Sequence, residues 1–137
     1  MALIVHKYGG TSMGSTERIA QVAKRVAKWA RAGHQMVVVP SAMSGETNRL
    51  LALAKELAPG KPGADYYREQ DMLAATGEQA SSALLAIALQ AEGQPAVSYA
   101  GWQVPIKTSN AYTKARIDSI DDKRVRADLD GGKVVII

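Results

Sequence analysis

Lys7, Gly9, Gly10, Thr11, Ser12 and Ser15 fall within the stretch "KYGGTSMGS", residues 7 to 15, directly after the apolar run Ala2-Leu3-Ile4-Val5. Backbone N–H groups of a glycine loop at a helix start bind phosphate well, because the helix dipole is positive there and no side chain blocks close approach. Lys7 adds a full positive charge at the strand's end. A tight strand-to-helix turn explains the glycines at least as well, since glycine accepts positive φ without strain. Two familiar nucleotide motifs do not fit. No lysine follows Gly14, as G-x-x-x-x-G-K-[ST] requires, and Thr11 stands where G-x-G-x-x-G needs its second glycine.

A second group, Ser41, Ser44 and Thr47 in "VVVPSAMSGETNRL", follows another apolar run. Those hydroxyls are therefore expected at the same carboxyl edge of a parallel sheet as residues 7 to 12, the edge outside which open α/β sheets bind ligands. Capping of a helix by Ser44 or Thr47 explains one hydroxyl but not the cluster. Glu78 is the third candidate. Thr76 and Gln79 form a capping-box pattern that places Glu78 in a helix's first turn, where the dipole alone favours an acid. Its functional alternative is to receive the ammonium of an amino-acid ligand. His6 and His34 have no metal-ligand spacing, so no metal site is expected. Trp29 and Trp102 read as packing residues, and "DSIDDKRVRADLD" as a solvated helix face.

These residues need a scaffold. Residues 2–8 and 35–43 are β-rich runs whose unbroken apolar character predicts strands buried on both faces, hence a parallel sheet between helices. Between them Ile19, Val22, Ala23, Val26 and Ala30 recur at helical spacing, with Ser15 placed to cap the start and Gly33 to close the end. Leu50, Leu51, Leu53, Ala54 and Leu57 predict a second helix, stopped by Pro59-Gly60, with residues 59–63 as a surface loop. A short helix over "ADYYREQDML" and a separate one from Thr76 to Gly93, marked by Ala80, Ala83, Leu84, Ile87 and Ala91, come next. Strands are expected over 96–99 and 104–106, a polar loop around 108–113, a helix over 121–129 and a buried strand over 134–137.

The sequence has 137 residues, 47% hydrophobic and 22% charged, with formal charge +4 and no cysteine. That composition suits one soluble α/β domain and removes disulfides, thiolate zinc sites and cysteine nucleophiles. The basic residues are scattered over several elements, so nucleic acid is not an expected partner. No apolar run near the ~20 residues of a membrane span is evident, nor a signal segment, and a cytoplasmic location is expected. Four consecutive β-branched residues at the end would leave a terminal carboxylate at the sheet, so the chain is expected to be the N-terminal part of something longer.

"KYGGTS" after the first strand, "VVVPSAMSGETN" after the second and "ATGEQ" before a later helix together resemble the aspartate kinases of the amino-acid kinase superfamily. The match extends through "SYAGWQV" and "TKARI" to "GKVVII", so it covers essentially the whole chain. The resemblance implies a three-layer αβα amino-acid kinase (carbamate kinase-like) fold with a largely parallel sheet, here truncated. It also implies ATP-dependent phosphorylation of the aspartate side-chain carboxylate, at the start of the lysine, threonine and methionine pathway. Lys7 would stabilise charge on the transferring phosphoryl group. Tyr8, Gly9, Gly10 and Ser41 would join Lys7 at ATP, and Thr47 and Glu78 would bind L-aspartate. MgATP is then a co-substrate, with no tightly bound cofactor, and the parent enzyme a homo-oligomer.

The resemblance has departures. Pro40 is unusual within the strand, and "APGKPGADYYREQ" lengthens the connection before "ATGEQ". The family's "GRGGSD" and "TDVDGV" segments and its regulatory ACT domains have no counterpart in residues 1–137. The chain alone is therefore expected to be inactive, and to self-associate through apolar surface near Val134 to Ile137. Two rivals are another amino-acid kinase and a non-catalytic anion-binding module that pairs with a partner.

Overall fold

Valine-rich strands pair side by side because branched side chains fill both faces of a pleated surface. A computed structural model describes residues 1–60 and 63–137. Lys61 and Pro62, within the expected 59–63 loop, lie outside the described residues. The elements in chain order are β1 (Leu3–Tyr8), α1 (Thr16–Arg31), β2 (Gln35–Pro40), α2 (Glu46–Leu57), α3 (Ala64–Ala91), β3 (Ala96–Ser98), β4 (Ile106–Thr108), β5 (Ile117–Ile120), α4 (Lys123–Asp130) and β6 (Val134–Ile136). A 3-10 turn, Gly10–Met13, joins β1 to α1.

The main sheet has four parallel strands in the order β1-β2-β6-β3, with Val5 opposite Val37 and Val37 opposite Val135. On one face α1 and α3 bury Met36, Val38, Val134 and Ile136 together with Val26, Leu85 and Leu89. On the other, Val125 and Leu129 of α4 join Tyr99 and Val104 over Val37, Val97 and Val135. This is the layered α/β architecture expected from the sequence. Ser15 caps α1, its hydroxyl accepting the Arg18 N–H at 3.2 Å. Gly33 takes the positive φ, +90°, that ends the helix connection.

Several expectations fail for identifiable reasons. The short helix and the Thr76–Gly93 helix are one continuous helix of 28 residues. Thr76 is therefore no cap: its hydroxyl donates back to the Leu73 carbonyl at 2.7 Å, the habit of a mid-helix threonine. The buried stripe of α3 is Gly77, Ser81, Ser82, Leu85, Ala86 and Leu89, while Ile87 is 61% exposed. Alanine and leucine surround this helix on all sides, so its period gave no unique phase. An 18-residue window of α3 reaches a mean hydropathy of 1.3, long and apolar enough by that measure to cross a bilayer. Leu85 and Leu89 of α3 are nonetheless fully buried against the sheet.

Of the leucines expected to mark α2, only Leu50 is buried, and Leu57 is almost wholly exposed. The strand expected over 104–106 begins at Ile106 and pairs antiparallel with β5, in a hairpin apart from the main sheet. Val134 to Ile136 are not uncovered: β6 lies between β2 and β3 and all three residues are buried. Uncovered apolar surface lies instead on the sheet's edge, where Leu3 is 50% and Val5 61% exposed, because the cluster that covers this face packs over β2, β6 and β3 and includes no residue of β1.

One ionic cluster ties α4 to β6. The Tyr99 hydroxyl and the Lys133 ammonium (2.7 Å) both donate to Asp128, and Arg124 lies 5.0 Å from the Tyr99 ring centre. The Lys133 hydrogen bond, then that of Tyr99, holds the Asp128 carboxyl below its ordinary value, and burial raises the Tyr99 phenol. A lowered carboxyl stabilises the fold above its unfolded value, about 4, and that contribution is lost as pH falls through the folded value. Thermal melts between neutral pH and pH 3 should therefore fall more steeply for the native chain than for Asp128→Asn. Parallel curves would remove Asp128 from the acid response.

Candidate functional site

β1 and β2 end together, Tyr8 opposite Pro40, so the residues that follow both strands meet at one edge of the sheet. Strand alternation decides the direction of each side chain. Tyr8 turns to the α1 face, where its hydroxyl pairs with Nδ1 of His6 at 3.1 Å and burial raises its phenol. Its carbonyl stays at the strand end and accepts the Ser41 N–H at 2.8 Å. Lys7 takes the opposite face, where its ammonium donates to the Ser41 hydroxyl at 3.0 Å and to the Tyr8 carbonyl at 3.2 Å.

Backbone conformation does not explain the glycines. Gly9 is extended, with φ −78° and ψ 173°, and the positive-φ glycines are Gly33, Gly45, Gly93 and Gly132. A Cβ on Gly9 would meet nothing within 4 Å, and one on Gly10 would make only ordinary contacts with the Ala42–Ser44 backbone. The tight-turn explanation thus has no positive φ to rest on. The backbone there is left bare, and the first N–H groups of the following helical turn have no intrahelical acceptor.

Capping fares no better as an explanation of the hydroxyls. The N-cap of α2 is Gly45, with φ +78°, and no side chain caps it. Ser44 and Thr47 instead line a cleft of about 390 Å³ together with Gly10, Thr11, Ser41 and Glu78. Glu78 belongs to the middle of α3, beyond the reach of the dipole at its N-terminus. Its carboxylate receives the Ala42 N–H at 3.4 Å, a long hydrogen bond that leaves most of its acceptor capacity free. Glu46 nearby is already engaged by Arg49 at 2.7 Å, which lowers its carboxyl.

The structure therefore gathers Gly10, Ser41, Thr47 and Glu78 around one cleft and brings Lys7 to it through Ser41. It does not bring the Tyr8 ring there. That ring lines a larger groove, about 760 Å³, with Arg18, Arg25, Lys28 and Trp29 on the far side of β1. Sequence reading missed Gly77 and Ser81. Both lie on the buried stripe of α3 facing the loop after β2, and the signal was a polar residue one turn beyond a glycine. Among the described residues, no group of three His, Cys, Asp or Glu could hold a metal ion. Chemically the cleft brings together a cation, bare amides, hydroxyls and a carboxylate.

Comparison with known proteins shows the family and the fold. Residues 2–137 match the model of the amino acid kinase family. An aspartate kinase of Pseudomonas fluorescens is 56% identical over 137 residues, covering 100% of this chain and 33% of that protein. Aspartokinase 2 of Bacillus subtilis is 48% identical over 139 residues, with the same coverage of each. The chain spans about a third of the length of the curated relatives it matches. Among solved structures, aspartate kinase from Synechocystis superposes with a TM-score of 0.79 at 44% identity, over 98% of this chain and 21% of that one. An isopentenyl phosphate kinase superposes with a TM-score of 0.72 at 18% identity, over 100% of this chain and 57% of that one, and shares the fold.

Proposed function

The chain belongs to the amino acid kinase family, and from the geometry of its cleft we propose that it supplies the phosphate loop and part of the aspartate site of an ATP-dependent aspartate kinase. The observation that carries this reading is the single cleft holding Gly10, Ser41, Thr47 and Glu78, with the Lys7 ammonium fixed on Ser41 at its rim. The names of the relatives support aspartate as the acceptor and ATP as the donor.

In this reaction an oxygen of the aspartate side-chain carboxylate forms a bond to the γ-phosphorus while the bond to the bridging oxygen breaks. ADP leaves with that electron pair. The attacking carboxylate is ionised near neutral pH, so no general base is needed. Two anions must be brought together, and catalysis is mainly positioning and cationic stabilisation. Lys7 meets the charge on the transferring group, the Gly9 and Gly10 amides hold phosphate oxygens, and Ser41 lies beside them. The Tyr8 contribution is its backbone, since its ring faces α1. Glu78 receives the aspartate ammonium, and Thr47 offers a hydroxyl to the same ligand. Magnesium would come with the nucleotide and supply charge shielding at its phosphates, as suits a cation that keeps several waters and few protein ligands.

The 137 residues are one portion of a catalytic unit, and by themselves they turn over no aspartate. Two measurements test the reading. Titration of pyrophosphate into the ¹⁵N-labelled chain should shift the Gly9 and Gly10 amides, and L-aspartate should shift Thr47 in the native chain but not in Glu78→Gln. Hydroxylamine added with MgATP and L-aspartate should trap no acyl phosphate from the chain alone. Pyrophosphate shifts confined to Arg25 and Lys28 would move the anion site to the other groove and overturn the assignment.

A further inference from the structure

The loop after β2 is held from α3 through one peptide unit. The carbonyl of Ser41 accepts the Ser81 hydroxyl at 2.7 Å, and the N–H at the other end of that peptide, on Ala42, donates to Glu78. Gly77 permits this approach: a Cβ there would lie 3.0 Å from the Ala42 Cβ, close enough to push loop and helix apart. Ser81 is fully buried. Its single hydroxyl proton has two carbonyls in range, Ser41 at 2.7 Å and Glu78 at 3.1 Å, and the shorter contact takes it. A buried hydroxyl left unpaired would be costly, so the contact is held firmly.

Ser41 is thus fixed at both ends, its N–H on the Tyr8 carbonyl and its carbonyl on Ser81. Only its side chain remains free, and that hydroxyl accepts the Lys7 ammonium. Lys7 is otherwise exposed, on a flexible four-carbon stem that loses much rotamer entropy when held in one place. We propose that Ser81 is a positioning residue for Lys7, acting through Ser41. This rests on the reading in which Lys7 meets the transferring phosphoryl group. The link runs from the middle of α3 to the phosphate loop, so one helix both carries the acid Glu78 and sets the cation Lys7.

The test uses the 137-residue chain with ¹³C-labelled lysine and follows side-chain relaxation at Lys7 Cε, with exposed Lys24 of α1 as internal reference. Lys7 should be more ordered than Lys24 in the native chain. Ser81→Ala should lower its order towards the Lys24 value, the Tyr8 carbonyl remaining as its other acceptor, with the backbone spectrum otherwise retained. Added to Ser41→Ala, the same substitution should change nothing further, because the link is already cut. If alanine unfolds the chain, Ser81→Cys keeps the shape with a weak donor and should free Lys7 in the same way. Unchanged order at Lys7 in a folded Ser81 variant would overturn the proposal, as would further loosening in the double variant. Failure of pyrophosphate to reach Gly9 and Gly10 would sink the functional reading alone, since Lys7 order is measured without ligand.

Discussion

Lys7→Ala should weaken pyrophosphate binding to the 137-residue chain about tenfold or more, because a hydrogen bond to a charged group contributes roughly 1.5–3 kcal/mol and about 1.4 kcal/mol is a factor of ten. The substitution removes the ammonium now resting on Ser41 and the Tyr8 carbonyl and leaves the glycine amides in place. Weak residual binding at Gly9 and Gly10 is therefore expected, with a shallower dependence on salt. Lys24→Ala, which removes one charge from the opposite face of the sheet, serves as the control and should leave the affinity nearly unchanged. In a longer polypeptide that turns over, losing this one cation should lower kcat by about 10²–10³. Equal pyrophosphate affinity in the Lys7 and Lys24 variants would take Lys7 out of the phosphate loop.

Leu85→Ala should cost about 2–5 kcal/mol, the range for emptying a fully buried leucine site. Leu85 belongs to α3 and lies in the core cluster with Val26 of α1 and Val38 of β2. Helices on both sides of that site are anchored by the sheet, so the cavity has little room to collapse. A chain of this size is stable by only about 5–15 kcal/mol in total, so the loss should be plain in a urea titration. Ile87→Ala, two residues along the same helix and 61% exposed, should change stability by no more than about 0.5 kcal/mol. Similar midpoints for the two variants would show that the phase of α3 is wrong.

That pair of residues marks where sequence reading stopped. The order of β1, α1 and β2 was legible because their apolar residues recur at two distinct periods with a serine cap and a glycine stop between them. The same holds for Lys7, Ser41 and Thr47 as candidates, since chemistry-bearing residues that follow strands stand out against an apolar background, whereas Glu78 was a candidate on a helix whose start was misplaced. Along α3, by contrast, alanine and leucine occur on every side, and only contact with the sheet selects Leu85 over Ile87. Thr76 and Gln79 fit a capping box locally, yet the helix runs through them. A cap is worth only about 1 kcal/mol, and the buried stripe of α3 from Gly77 to Leu89 runs on through this point.

Residue type and spacing determined by themselves that this chain is α/β, that a lysine and two glycines end its first strand, and that hydroxyls end its second. Pairing, a contact between residues far apart in the chain, decided the rest. The register of β1 on β2 sends the Tyr8 ring away from the cleft and Lys7 towards Ser41. The place of β6 between β2 and β3 buries the last strand and leaves Leu3 and Val5 open instead. The passage of α3 beneath the loop after β2 turns Ser81, an unremarked serine in the sequence, into the support of Ser41. No local period encodes such contacts, because each depends on which surfaces of distant segments are buried against one another.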